Sequence, residues 1–248
     1  MPDLPAAEGA LRRSDGGRQM MAVDTRMESP PVPEWKRLKL NDMFTKNTIV
    51  AGKDLADAGK ALILVHGRGA SAEDILFLAD ELNVEGYALL APRARGNSWY
   101  PYSFLAPPAQ NEPYLSSALQ IVQELVGDVK AAGIAPENIY FLGFSQGACL
   151  TLEFVARNAA RYGGVVGLTG GLIGDKIYAD NYKGDFQGTP VFLGTSHPDP
   201  HVPVERVHAT TALLKQLHAD VTEQVYENMG HTISQQEIDI VNRIIFKN

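Results

Sequence analysis

Ile139-Tyr140-Phe141-Leu142-Gly143-Phe144-Ser145-Gln146-Gly147-Ala148 is the stretch on which the rest of the chain turns. Residues 139–142 are apolar, with β-branched and aromatic members, and read as a short buried strand. They run into Gly143-Phe144-Ser145-Gln146-Gly147, a G-x-S-x-G pentapeptide, and a helix-compatible segment follows over residues 148–157. Strand, pinched turn and helix in that order are the context that gives this pentapeptide meaning. Its central residue sits in a strained backbone conformation, so the residues flanking it must be small. Gly143 and Gly147 let strand and helix approach closely. The turn lifts the Ser145 hydroxyl clear of the strand end and aims the Gln146 amide the same way, at a helix N-terminus.

Working outward, the chain alternates strands with helices. Residues 60–66 (Lys-Ala-Leu-Ile-Leu-Val-His) form an apolar run suited to burial on both sheet faces, ending in Gly67-Arg68-Gly69-Ala70. Ser71 and Asp74 have the spacing of a helix cap, ahead of a buried stripe of Ile75, Leu76, Leu78, Ala79 and Leu82. Residues 86–92 give the next strand. Residues 93–113 form a long connection rich in aromatics and proline, of the kind that is usually functional. A helix over 115–132 stops at Gly133. Beyond the Ser145 unit come strands at 164–171, 189–195 and 221–226, and helices at 204–217 and 234–246. Before all of these, residues 36–40 and 45–50 suggest an antiparallel hairpin. The alternation predicts a doubly wound, mostly parallel sheet with helices on both faces. Chemistry in such sheets collects at the carboxyl ends of the strands.

That edge selects the partners of Ser145. His231 follows the last strand and precedes the final helix, and Asp199 follows the strand at 189–195. Asp175, Asp180 and Asp185 fall in a polar excursion, Asp220 precedes a strand on the opposite edge, and Asp239 lies inside a helix. His208 and His218 fall on a helix or at its end. The expected order is Ser145, Asp199, His231: nucleophile, orienting acid and general base. Backbone N–H groups of Gln146 and Arg68 are the expected oxyanion donors, with the Arg68 guanidinium left to pair with an acid or line the entrance. His66 reads as a hydrogen-bonded structural residue, and Cys149 as core. His197-Pro198-Asp199-Pro200-His201 resembles a small metal cluster, but alternate residues of an extended piece diverge, and no metal is expected.

With these pieces in hand, the chain resembles the phospholipase/carboxylesterase family of α/β-hydrolases, bacterial carboxylesterases and acyl-protein thioesterases among them. The resemblance rests on Leu64-Val65-His66-Gly67-Arg68-Gly69-Ala70, Gly143 to Ala148, Asp199-Pro200-His201-Val202-Pro203 and Gly230-His231, over about residues 45–248. It implies an α/β-hydrolase fold and a Ser-Asp-His esterase without metal or cofactor. The thioesterases typically carry H-G-L-G-D where this chain has His66-Gly67-Arg68-Gly69-Ala70. The segments Ser98-Trp99-Tyr100-Pro101 and Asn111-Glu112-Pro113 look more like a bacterial subgroup of small esterases.

No separate lid domain is visible, so a fairly open groove is expected, walled by Trp99, Tyr100, Tyr102, Phe104 and Leu105, with Leu172 and Val202 on loops at the same edge as further apolar lining. The expected substrate is a small short-acyl or aryl ester. A lysophospholipid or acyl thioester is the alternative, and a hydrolase-like binding protein without turnover the reading of another class.

The bulk properties agree. The 248 residues fit one α/β domain. A formal net charge of −7 argues against nucleic acid or an anionic membrane surface as main partner. The single cysteine excludes a disulfide framework within the chain. No apolar run reaches membrane-spanning length. Residues 1–33 read as a disordered extension to a domain over 34–248, with no apolar stretch after Arg12, Arg13 and Arg18 to make a secretory signal, and acids (Asp3, Glu8, Asp15, Asp24) unlike a transit peptide. A cytoplasmic protein is the expectation.

Overall fold

A computed structural model describes residues 47–247. The expected extension over 1–33 and the strand piece at 36–40 lie outside the described residues. Among the described residues, seven strands form one sheet in the order β1-β3-β2-β4-β5-β6-β7. They are β1 (Thr48–Gly52), β2 (Ala61–Val65), β3 (Ala88–Pro92), β4 (Ile139–Phe144), β5 (Gly164–Leu168), β6 (Pro190–His197) and β7 (Asp220–Glu227). β1 pairs antiparallel with β3 and every other pairing is parallel.

The central strands read as continuous apolar runs because both of their faces are covered. Side chains alternate across a strand, and β2 shows the result. Ala61, Ile63 and Val65 enter one core cluster, and Leu62 and Leu64 the other. Helices α2 (Tyr114–Ala131), α3 (Gln146–Arg157) and α4 (Val204–Gln216) cover the first face through Leu115, Val122, Leu150, Phe154, Val207 and Leu214. Helices α1 (Ala72–Leu76) and α5 (Gln235–Ile244) cover the second through Ile75, Leu76, Ile238 and Val241.

Local signals set the helix ends. Ser71 and Asp74 make a reciprocal capping box at the start of α1, and Ser234 and Glu237 repeat it at α5. The helix expected through residue 82 tightens after one turn, and Phe77–Glu81 is 3-10. That segment keeps Ala79 buried while Phe77 stands exposed.

After β2 the chain moves to β3 on one side, then crosses to β4 on the other. The reversal opens a crevice at the carboxyl ends of β2 and β4, the general location for a ligand in an open α/β sheet. No helix among the described residues is long and apolar enough to cross a membrane.

Candidate active site

Ser145 stands between β4 and α3 with φ 54° and ψ −119°, a conformation that L-residues rarely adopt. The surroundings hold it there. Its N–H donates to the carbonyl of Leu168 (2.9 Å), and its carbonyl accepts from the N–H of Cys149 (3.0 Å). A Cβ at Gly147 would run into the carbonyl oxygens of Val65 and His66, and one at Gly143 into the backbone of Gly147. The two glycines thus allow α3 to start directly against the ends of β2 and β4.

Three residues distant in sequence meet at this edge. The Ser145 Oγ lies 2.8 Å from His231 Nε2, and His231 Nδ1 lies 2.9 Å from Asp199 Oδ2. The other oxygen of Asp199 accepts from the backbone N–H groups of His201 (2.7 Å) and Val202 (2.8 Å). Burial opposes charge on Asp199, but these two amides and the His231 ring outweigh it and hold the carboxyl below its usual range. A charged Asp199 requires the proton of neutral His231 on Nδ1, leaving Nε2 to accept from the serine hydroxyl. The imidazole is further framed by the rings of Phe144 (5.4 Å between centroids) and His201 (4.9 Å, edge-on).

Gln146 is the first residue of α3, where N–H groups have no intrahelical acceptor. Its carboxamide faces elsewhere: Oε1 accepts from Trp99 N (3.0 Å), and Nε2 donates to the Tyr100 carbonyl (2.8 Å). Arg68 lies on the adjoining loop after β2. Its guanidinium pairs with no acid among the described residues and instead donates to the carbonyls of Tyr100 (2.9 Å), Pro101 (2.9 Å) and Tyr102 (2.8 Å). Beneath the loop, buried His66 accepts from Ala94 N on Nε2 (3.1 Å), so its Nδ1 carries the hydrogen donated to Gly67 O (2.8 Å). Burial lowers its pKa.

A cavity of about 380 Å³ opens beside Ser145 and His231. Tyr100, Tyr102, Phe104 and Val202 line it, together with Arg68, Cys149 and His201. Trp99 and Leu172 are absent from the lining. The Trp99 indole turns inward to donate to His66 O (2.8 Å) and stacks on the His66 ring. Leu172 is buried in the core, its N–H bound to Thr210 Oγ1 and its carbonyl to Arg206. His201 borders the site instead, a place signalled by its position two residues past Asp199 on the same loop.

A hydroxyl bonded to a neutral imidazole, itself held by a buried carboxylate, can become a nucleophile toward a carbonyl. Carried at a strand-to-helix elbow on a seven-stranded, mostly parallel sheet with helices on both faces, this arrangement defines the α/β-hydrolase fold. Within that fold the chain belongs to the phospholipase/carboxylesterase family, whose model matches residues 45–248.

Among solved structures, a phospholipase/carboxylesterase from Dyadobacter fermentans is 51% identical, with a TM-score of 0.81 over 82% of this chain and 98% of its own. The Bacillus cereus carboxylesterase, at 21% identity and a TM-score of 0.66 over 82% of this chain and 93% of its own, shares the fold. Among curated relatives, acyl-protein thioesterase 1 of Gibberella zeae is 36% identical over 47% of this chain and 50% of its own length. A probable carboxylesterase of Oryza sativa is 30% identical over 52% of this chain and 55% of its own. The chain thus spans about half the length of these first curated relatives.

Proposed function

We propose that this chain is a serine carboxylesterase that cleaves small short-acyl or aryl esters through an acyl-serine intermediate. The observation that carries the reading is the unbroken hydrogen-bonded series Ser145–His231–Asp199 facing a cavity. His231 Nε2 takes the hydroxyl proton as Ser145 Oγ attacks the ester carbonyl carbon. The resulting oxyanion is held by the backbone N–H groups of Arg68 and Gln146. Collapse breaks the bond to the alcohol oxygen, which leaves with the proton from His231. Water then repeats the sequence on the acyl-serine, releasing the acid and restoring the hydroxyl. Asp199 keeps the tautomer and stabilises the imidazolium. No step calls for a metal or cofactor.

Cavity size supports the choice of substrate. About 380 Å³ lies near the lower end of the roughly 300–1,000 Å³ typical of small-molecule sites. A second reading, acyl-thioester or lysophospholipid hydrolysis, draws on relatives that are named acyl-protein thioesterases. A p-nitrophenyl ester chain-length series on the wild type and Ser145→Ala decides among these. Wild-type turnover is expected to peak at short acyl chains and vanish in the variant. Equal rates in the two proteins would remove the esterase reading and favour a ligand-binding role; a maximum at long chains would favour the second reading.

A further inference from the structure

The two residues assigned as oxyanion donors do a second job with their side chains. The Gln146 carboxamide holds Trp99 N and Tyr100 O, and the Arg68 guanidinium holds three successive carbonyls, those of Tyr100, Pro101 and Tyr102. The same segment supplies Tyr100, Pro101, Tyr102, Ser103 and Phe104 to the cavity wall. The far end of the wall is tied separately. Asn111 Oδ1 accepts from Tyr102 N (2.9 Å), and Gly174 N donates to Phe104 O (2.7 Å). Tyr102 itself is largely exposed. The guanidinium presents its donors in one fixed plane and so holds the three carbonyls in one geometry, which the freely rotating donors of an ammonium do not.

The Pro101 and Tyr102 carbonyls bound by Arg68 lie at the exposed surface, where water replaces a lost donor at little cost. Tyr100 O keeps its bond from Gln146. The clamp therefore contributes less to holding the protein folded than to holding the wall in one position. Resting on the esterase reading above, we propose that the Arg68 side chain is a specificity-determining clamp: by pinning the carbonyls of Tyr100, Pro101 and Tyr102 it keeps the wall closed over the cavity and limits the length of the acyl group that reaches Ser145.

The test compares p-nitrophenyl octanoate with p-nitrophenyl acetate in the wild type, Arg68→Leu and Arg68→Lys. Released from the clamp, the wall yields to the longer chain. The octanoate-to-acetate ratio of kcat/KM rises by roughly tenfold or more in Arg68→Leu, the scale set by a few methylenes in an apolar pocket, with most of the change in the octanoate KM. Arg68→Lys keeps the charge but not the fork, and shows most of the same rise. Trp99 gives a readout independent of turnover. The chain has two tryptophans, so in a Trp35→Phe background acrylamide quenching reports Trp99 alone, the buried residue that immediately precedes the clamped segment, and it increases in both variants.

An unchanged octanoate-to-acetate ratio, with both substrates slowed equally, would reduce Arg68 to a support of the oxyanion loop and overturn the clamp. A wild-type ratio in Arg68→Lys would overturn it too, because charge alone would then suffice. Should Arg68→Leu fail to fold, Arg68→Lys carries the comparison. If wild-type turnover survives Ser145→Ala, the esterase reading fails instead; quenching of Trp99 then decides the clamp, and unaltered quenching rejects it.

Discussion

Asp199→Asn separates a working tautomer from a merely assembled site. One oxygen of Asp199 accepts two backbone N–H groups, from His201 and Val202, and the other accepts from His231 Nδ1. An asparagine that keeps its oxygen on the two amides must turn its NH₂ toward His231. Nδ1 then has to accept, the ring proton moves to Nε2, and Nε2 no longer takes a proton from Ser145. Flipping the amide restores the tautomer but sets its NH₂ against two N–H donors. The His201 N–H is exposed and can turn to water, whereas the part-buried Val202 N–H loses its acceptor, so the flip costs roughly 1–3 kcal/mol. At 1.4 kcal/mol per decade, the productive arrangement is depleted by about 5-fold to 140-fold. Loss of the charge opposite the developing imidazolium adds to this. The expected fall in kcat is on the order of 10³–10⁴-fold, with KM nearly unchanged. Steady-state kinetics on p-nitrophenyl acetate measure it, with circular dichroism to establish folding. A folded variant losing less than about tenfold in kcat would refute the tautomer reasoning.

Two further outcomes follow from the surrounding scaffold. Gly147→Ala places a methyl against the carbonyls of Val65 and His66. It should cost about 2–4 kcal/mol in urea denaturation, as overpacking against fixed backbone does; a loss under about 0.5 kcal/mol would show that α3 shifts freely. Burial lowers the pKa of His66 from 6.5, so the folded state takes up its proton less readily than the unfolded chain. The contribution to stability is therefore present above pH 6.5 and lost as pH falls toward the lower folded value. His66→Gln should flatten the stability profile in that window, and an unchanged acid slope would exclude His66 as its source.

How far the sequence reached depended on whether a feature was set by the backbone or by a loop side chain. The run over residues 60–66 could be read because a strand covered on both faces must be apolar throughout, and β2 has side chains in both core clusters. The meeting of Ser145, Asp199 and His231 followed from topology: parallel strands put the residues after their carboxyl ends on one edge. Directions of side chains in residues 93–113 carried no such constraint. Aromatic composition there marks a packed loop but not which rings face inward, so Trp99, expected in the wall, lies on His66. Leu172 failed for a related reason, since the hydrogen bonds that fix its backbone come from Thr210 and Arg206 on α4. The Arg68 guanidinium, expected on an acid or at the entrance, does line the cavity while binding carbonyls 32 to 34 residues away. The tightening of the chain at Phe77 has no breaker to announce it.

The central claim is that Ser145 is made nucleophilic by His231. Labelling with a fluorophosphonate, followed by mass spectrometry of the digested protein, tests it most directly. The account predicts one adduct per chain, on the peptide containing Ser145, and near-complete loss of labelling in His231→Ala. Equal labelling in His231→Ala, or an adduct on any other residue, would contradict it.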